Sequence, residues 1–297
     1  MTCHRTFSIR TRFAFAPAYA LALAVVAASG CKDQARESAG LATRDVGELT
    51  ELVGKDVDEV TRGLPEGATK VAPLVAGGAD PRQDVAGVRK ALMRTRRDVA
   101  DLNIAKSTFF ALADANGIAI RNDLEEDVMA GQNLGALFPA LTKLESGGAG
   151  VITTVGAFPN TSTKNGPDED WIAGVAVNRE NGTAGAILVT GWSYRYFARH
   201  LQEALKGRLL EQAKAAGREG QIPVYYVAVF DRKGVYSAPT TPAVDDKALA
   251  DMDLVTKTAS APYQGTTTIA DRGFGVAAAR TPKLAPDTGV AVLRSDF

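Results

Sequence analysis

The sequence predicts an α+β fold of two lobes, each a five-stranded antiparallel sheet with helices, preceded by a long N-terminal amphipathic helix. Three observations predict it. First, two strand–turn–strand units share one form. Thr108–Asp114 turns through Asp114-Ala-Asn-Gly117 into Ile118–Asn122, and Val224–Phe230 turns through Asp231-Arg-Lys-Gly234 into Val235–Ala238. Second, each unit is followed by helical pieces and then by three extended runs. Gly174-Val-Ala-Val-Asn178 is echoed by Gly275-Val-Ala-Ala-Ala279, and Gly185-Ala-Ile-Leu-Val189 by Gly289-Val-Ala-Val-Leu293. Repetition of a whole unit outweighs any single strand reading. Third, the turns are too short for parallel crossovers, so the sheets are antiparallel.

Residues 1–30 read as an export signal. Arg5, Arg10 and Arg12 precede an apolar run from Phe13 to Ala28, interrupted only by Pro17. That run is short for a spanning helix and suits a signal. It ends in Ala28-Ser29-Gly30-Cys31, which resembles the lipobox of bacterial lipoproteins. The resemblance implies cleavage before Cys31, acylation of its thiol (palmitate among the acyl chains) and a body held at a membrane through lipid. An ordinary secretory signal with a chance Cys is the competing reading. Cys31 would then be an unpaired thiol in an oxidising compartment, since no Cys follows it. Lys32 rather than Asp follows the Cys. By resemblance to the enterobacterial sorting rule, this disfavours retention at the inner membrane.

The lipidated Cys and residues 31–44, polar and small, read as a flexible tether. Residues 45–81 read as a helix and loop. Val46, Leu49, Val53, Val57 and Val60 give a helix over about 45–62, closed by Gly63 and Pro65. Residues 82–216 read as the first lobe with flanking helices. Its opening helix carries Val85, Val88, Leu92, Thr95, Val99 and Leu102 as one stripe, with Asp80 as cap and Pro81 at the first position. Its basic residues (Arg89, Lys90, Arg94, Arg96, Arg97) read as a solvated face. The 34 basic and 34 acidic residues of the whole chain balance, so no global field favours nucleic acid. Short helical pieces fill 123–145, and strands follow at 151–155, 171–177 and 184–190. A helix over 194–216 carries Phe197, Leu201, Leu205 and Leu209. Residues 217–297 read as a second, smaller lobe, with helix at about 244–258 and strands at 266–269, 274–279 and 289–293.

The first lobe carries Phe109-Phe-Ala-Leu-Ala-Asp-Ala-Asn-Gly117, Ile118-Ala-Ile-Arg-Asn122, Asp127, Gly131-Gln-Asn-Leu134 and Phe138-Pro139. Gly185-Ala-Ile-Leu-Val-Thr-Gly-Trp192 then runs into a helix. These motifs resemble Cache domains, the PAS-like extracytoplasmic sensor modules of bacterial chemoreceptors and histidine kinases. The likeness covers 82–216 and, more weakly, 222–297, so the chain resembles a double Cache layout with two PAS/Cache-like lobes. The resemblance implies a small organic ligand, such as an amino acid or carboxylate, held between the sheet and its insert. Two departures stand against the family pattern. The chain has neither a second membrane span nor an output module, and the family's amino-acid signature pairing an Arg with Trp-Tyr is absent.

Catalytic constellations are missing. Gly191-Trp192-Ser193 lacks the second Gly of a nucleophile elbow, and His200, the only His beyond the signal, lies seven residues on. Ser193 reads as a helix cap. Asp168-Glu169-Asp170 reads as a solvated acidic loop. It lacks the ligand spacing of a calcium loop, and two His supply no metal site. Asp114 and Asp231 read as turn residues. No cofactor is expected.

For a ligand, Arg121 is the candidate anchor, placed late in a return strand where its guanidinium could take a carboxylate. Phe138, Thr153 and Trp171 are expected to wall the same cavity, with Tyr194 and Arg195 near it at a strand–helix junction. For each aromatic the competing reading is core packing, and for Arg121 a salt bridge. The sequence thus predicts a lipid-anchored periplasmic sensor that binds a small molecule without catalysis. The alternative is an envelope scaffold whose lobes bind a membrane sensor partner or dimerise.

Overall fold

Apolar residues at helical spacing continue well beyond 45–62 in both directions, and one helix follows them. In the computed structural model α1 (Pro17–Val71) is 55 residues long. The structure describes residues 17–105, 107–148, 150–158 and 168–296, with side chains from Asp33 onward. The first part of the signal, the Cys31 side chain and the polar segment 159–167 therefore lie outside the described residues.

Residues 33–44 are helical, where a tether was expected. Ala35, Ser38, Ala39 and Ala42 are buried, and Val46, Leu49, Val53, Val57, Val60, Leu64, Ala68 and Val71 extend the same stripe. Polar composition suggested a linker, but small residues at helical spacing are what a helix needs to lie close on a sheet. Nor do Gly63 and Pro65 end the helix. A Cβ at Gly63 would come 2.9 Å from Leu102 Cγ, so this glycine serves close helix approach. Pro65 removes one main-chain donor, and the buried residues on either side hold the helix together.

The opening helix of the first lobe is broken. Asp80 caps only a 3₁₀ turn over Pro81–Gln83. α2 (Val85–Asp98) is capped by Asp84, which accepts from the Gly87 N–H at 2.8 Å. Extended backbone at Val99 separates α2 from α3 (Ala100–Ile104). β1 (Phe109–Asp114) and β2 (Ala119–Asn122) form the first hairpin. Asp114 accepts from the Asn116 and Ile118 N–H groups at 2.9 Å each, the turn role expected of it. α4 (Leu134–Leu137) and a 3₁₀ segment (Pro139–Leu144) make the insert. β3 (Ile152–Gly156), β4 (Asp170–Asn178) and β5 (Ala184–Ser193) complete a sheet of order β2-β1-β5-β4-β3, antiparallel throughout.

α5 (Tyr194–Ala215) leads into the second lobe. β6 (Val224–Phe230), β7 (Val235–Ser237), α6 (Ala243–Ala250), α7 (Leu254–Lys257), β8 (Tyr263–Ile269), β9 (Arg272–Arg280) and β10 (Gly289–Ser295) follow. The second sheet has the order β7-β6-β10-β9-β8, the same as the first. The internal repeat is therefore a repeat of topology, and the second lobe is a full five-stranded copy.

α1 packs against both sheets. One continuous core joins its stripe to Trp171, Leu188 and Trp192 of the first lobe and to Val227, Ala277 and Val292 of the second, with Phe197, Leu201 and Leu205 of α5 between. A buried charge network reinforces the lower half. Asp45, fully buried, accepts from Arg208 Nη2 at 2.6 Å and from Arg294 Nη1 at 2.7 Å. Arg208 also pairs with Glu48. Arg294 donates to Asp296 at 2.8 and 2.9 Å, and Asp296 accepts from Ser38 Oγ at 2.9 Å. Burial pushes the Asp296 carboxyl up, but the Arg294 guanidinium outweighs it and holds the group below its ordinary value. The helix, α5 and the last strand are thus tied at one point.

Candidate functional site

Each sheet has one face toward α1 and one toward its own insert, and the insert faces are the candidate ligand surfaces. In the first lobe strand alternation puts Phe109, Ala111 and Ala113 of β1, Ile172 and Ala176 of β4, and Ile187 and Val189 of β5 on that face. Met129, Leu134, Phe138, Leu141, Leu144 and Phe158 cover it. Phe138 packs on Phe158 with ring centres 4.9 Å apart, and Phe158 meets Phe109 edge-on at 5.7 Å. The fit is close enough that a Cβ at Gly156 would lie 2.6 Å from the Leu137 carbonyl oxygen, and one at Gly174 would lie 2.9 Å from Leu141. Among the described residues this face is filled by its own side chains.

The residues expected to share a cavity do not converge. Phe138 sits in that filled core. Trp171 faces the other way, stacked on Trp192 at 4.6 Å in the α1-facing core. Thr153 lies opposite Ala173, on the same α1-facing side as Trp171, and is exposed. The expectation of one wall failed because it ignored the pleat: Trp171 and Thr153 have the opposite parity to the residues facing the insert. Arg121 lies on the edge strand β2 opposite Leu112, and its donors serve its own loop. It pairs with Asp127 at 3.0 Å and donates to the Leu124 and Glu125 carbonyls at 2.7 and 3.0 Å. Asp127 in turn accepts from the N–H groups of Asn122, Met129 and Ala130.

Tyr194 and Arg195 point into the junction between the lobes. The Tyr194 hydroxyl lies 3.3 Å from Thr288 Oγ1, and its ring meets Tyr236 edge-on. Arg195 donates to the Ser237 carbonyl at 3.4 Å and lies 3.8 Å from Asp246. Asp168, Glu169 and Asp170, expected in a solvated loop, are buried here. Asp168 accepts from Ser193 Oγ at 2.8 Å and from the Arg195 and Glu169 N–H groups. Burial pushes the Asp168 carboxyl up, and those donors draw it part of the way back. Lys233 crosses the junction to Glu169 at 2.7 Å. Glu169 therefore ties the lobes together, while Asp168 braces the start of α5. Ser193 caps α5 through the Tyr196 N–H while donating to Asp168, and His200 lies on Asp56 at 3.1 Å. Ser193→Ala removes both bonds, and urea unfolding is expected to report a loss of about 1–2 kcal/mol.

No protein-family model matches the chain, and no curated protein matches it. Solved structures do. The layout resembles the ligand-binding domain of the Campylobacter jejuni chemoreceptor Tlp3 in complex with 4-methylisoleucine: 10% identity over 87% of this chain and 91% of that one, TM-score 0.49. It also resembles the ligand-binding domain of the Pseudomonas aeruginosa amino acid chemoreceptor PctC with GABA (12%, 84% and 96%, 0.45). A third is the sensor domain of the V. cholerae histidine kinase DctB (13%, 87% and 97%, 0.44). The likeness is one of layout. At such identities no site residue passes from those proteins to this one.

The insert face of the second lobe differs from that of the first. Val224, Tyr226, Ala228 and Phe230 of β6, Ala291 and Leu293 of β10, and Phe274, Val276 and Ala278 of β9 form it, under Leu249 and Leu254. Here polar groups intrude. Asp245 of α6 is 5% exposed, and its Oδ1 has no hydrogen-bond partner among the described residues. Burial pushes its carboxyl up, and Arg272 pulls it back. Burial raises the Tyr226 phenol, and the Asp245 charge raises it further. Arg272 donates Nε–H to Ser295 Oγ at 2.9 Å and its guanidinium lies 5.8 Å from the Phe274 ring. Tyr226, Tyr263 and Arg272 are each partly exposed, so the group reaches solvent. A buried carboxylate oxygen without a donor is costly and draws a cation or a hydrogen-bond donor. Sequence reading missed Asp245 because Asp245-Asp246 at a helix start looks like ordinary dipole compensation.

Proposed function

We propose that the chain is a non-catalytic, lipid-anchored sensor module of the bacterial cell envelope, held by acylated Cys31 with its body in the periplasm or at the outer surface. It binds a small amine-bearing organic molecule, amino acids included, on the insert face of the second lobe. Asp245 takes the ammonium, and Tyr226 and Arg272 flank the rest. The observation that carries this reading is the unpartnered buried oxygen of Asp245 on α6, in the helical insert of the second lobe. The anchor rests on the lipobox resemblance, and absence of catalysis on the partners of Ser193 and His200, which tie them to structural carboxylates.

A thermal-shift screen of the mature protein in detergent tests it, with amino acids, primary amines, carboxylates and purines as probes. A ligand at a hundred times its dissociation constant stabilises by about 2.7 kcal/mol. An amine-bearing hit abolished by Asp245→Asn is expected. A hit that survives Asp245→Asn and is lost in Arg121→Ala would return the site to the first lobe. A blank on a cooperatively folding sample would favour the second reading, a scaffold that binds a membrane sensor partner or a second copy. The filled insert face of the first lobe is the observation on its side.

A further inference from the structure

The basic residues of α2 do not form one solvated face. Arg89 donates to the Asp123 carbonyl at 3.4 Å, Arg96 to the Asp123 carboxylate at 2.5 Å, and Arg97 to Asp98 at 2.8 Å. Lys90 and Arg94 are exposed, and among the described residues neither has a hydrogen bond or an ion pair. They stand one helical turn apart, with Cβ atoms about 6 Å from each other. Both line a groove of about 530 Å³ between α1 and α2, which Lys70 enters from the last turn of α1. Leu74 and Ala91, each half-buried, give the groove an apolar lining. The helices come together at Thr95, whose methyl would lie 3.5 Å from a Cβ at Gly67. Two carboxylates stand near the three cations. Glu66 is 3.7 Å from Lys70 and open to solvent, and Asp98 bonds Arg97. The Asp98 carboxyl is held below its ordinary value by the Arg97 hydrogen bond, and the Lys70 and Arg94 charges lower it further. A negative group at the rim therefore already feels the field of the groove. A second groove along α1, of about 450 Å³, gives the contrast. It holds Lys55, Arg62, Arg280 and Lys283, and each has its own carboxylate: Glu59, Asp101, Asp287 and Asp58.

We infer that the groove between α1 and α2 is a binding site for a small organic phosphate. Lys90 and Arg94 take the phosphate from one helix and Lys70 takes it from the other, while Leu74 and Ala91 pack on the organic part. A phosphate monoester carries nearly two negative charges at neutral pH and three strong acceptor oxygens. Three cations from two elements match that charge and number, and charge-assisted hydrogen bonds are the strong ones. No residue of the second lobe lines the groove, so the site is separate from the surface around Asp245. Occupied, it ties the end of α1 to α2.

Titration calorimetry on the mature protein in detergent tests it, with phenyl phosphate as the probe and low salt to limit screening. One-to-one binding is expected, tighter than that of inorganic phosphate. Lys90→Gln with Arg94→Gln should weaken it at least tenfold, and Lys70→Gln should weaken it too. All three positions are exposed and glutamine is a good helix former, so the fold is kept. Lys206→Gln on α5, which removes an exposed cation paired with Glu203, is the control and should leave the affinity unchanged. Absence of binding to the unmodified protein, or equal affinity in the double variant, overturns the site. So does an equal loss in Lys206→Gln, because net charge alone would then account for the binding. Inorganic phosphate bound as tightly as phenyl phosphate overturns the organic ligand. Phenyl phosphate carries no amine, so this result and the reading at Asp245 stand or fall separately.

Discussion

Asp45→Ala is expected to destabilise the protein by about 3–5 kcal/mol, the cost of removing one partner from a buried charge network. Asp45 is fully buried and accepts from two guanidinium groups on different elements, Arg208 of α5 and Arg294 of β10. Without it both cations keep only outer partners, Glu48 for one and Asp296 for the other. A fall in Tm on the order of 10 °C should accompany the loss. Arg36→Ala, at an exposed position of the same helix, is the control and should stay within about 0.5 kcal/mol. Acid should loosen the same network. The Asp296 carboxyl is held low in the folded state. Its contribution is therefore complete above the ordinary carboxylate pKa and is lost as pH falls through the depressed folded value. Unfolding midpoints measured from pH 7 downward should fall in that window, and less steeply in Asp296→Asn.

Gly275→Val is the second large effect. Glycine to a β-branched residue in a strand would ordinarily help. Here the added Cβ meets the Ala39 backbone, which cannot swing aside as a side chain would. Helix and sheet must separate, at a cost of about 3 kcal/mol. Gly54→Ala on the same helix gives the contrast. Only the Lys283 side chain lies near, at 3.6 Å. Gaining helix propensity there is expected to stabilise by about 0.5–1 kcal/mol. Denaturant titration of the two variants should therefore give opposite signs.

The two-lobe fold was legible because it rests on local signals: strand alternation, Asp-x-x-Gly turns and a repeat of both. Ser193 as a cap and Asp114 and Asp231 as turn residues follow from the same short-range chemistry. What the sequence hid is long-range. Residues 33–44 look like a linker because Ala and Ser are small and neutral, and only the sheet they rest on turns smallness into close packing. Gly63 and Pro65 look like a stop, and Leu102 of a later helix explains the glycine. Asp168-Glu169-Asp170 looks solvated until Lys233 and the α5 N-terminus are brought to it from other parts of the chain. Trp171 and Thr153 looked like cavity walls because strand position was read without parity. Asp245 carries no local mark at all, since its oxygen loses its partners only once the second lobe has closed over it.

Both large predictions rest on one claim, that α1 is a rigid spine fixed to the second lobe from Gln34 onward. Hydrogen exchange on the mature protein tests it directly. Amides of Arg36 to Arg44 should be protected to the same degree as those of Leu49 to Val60. Exchange over 36–44 at the rate of an unstructured chain, with 49–60 still protected, would contradict it and restore a flexible tether.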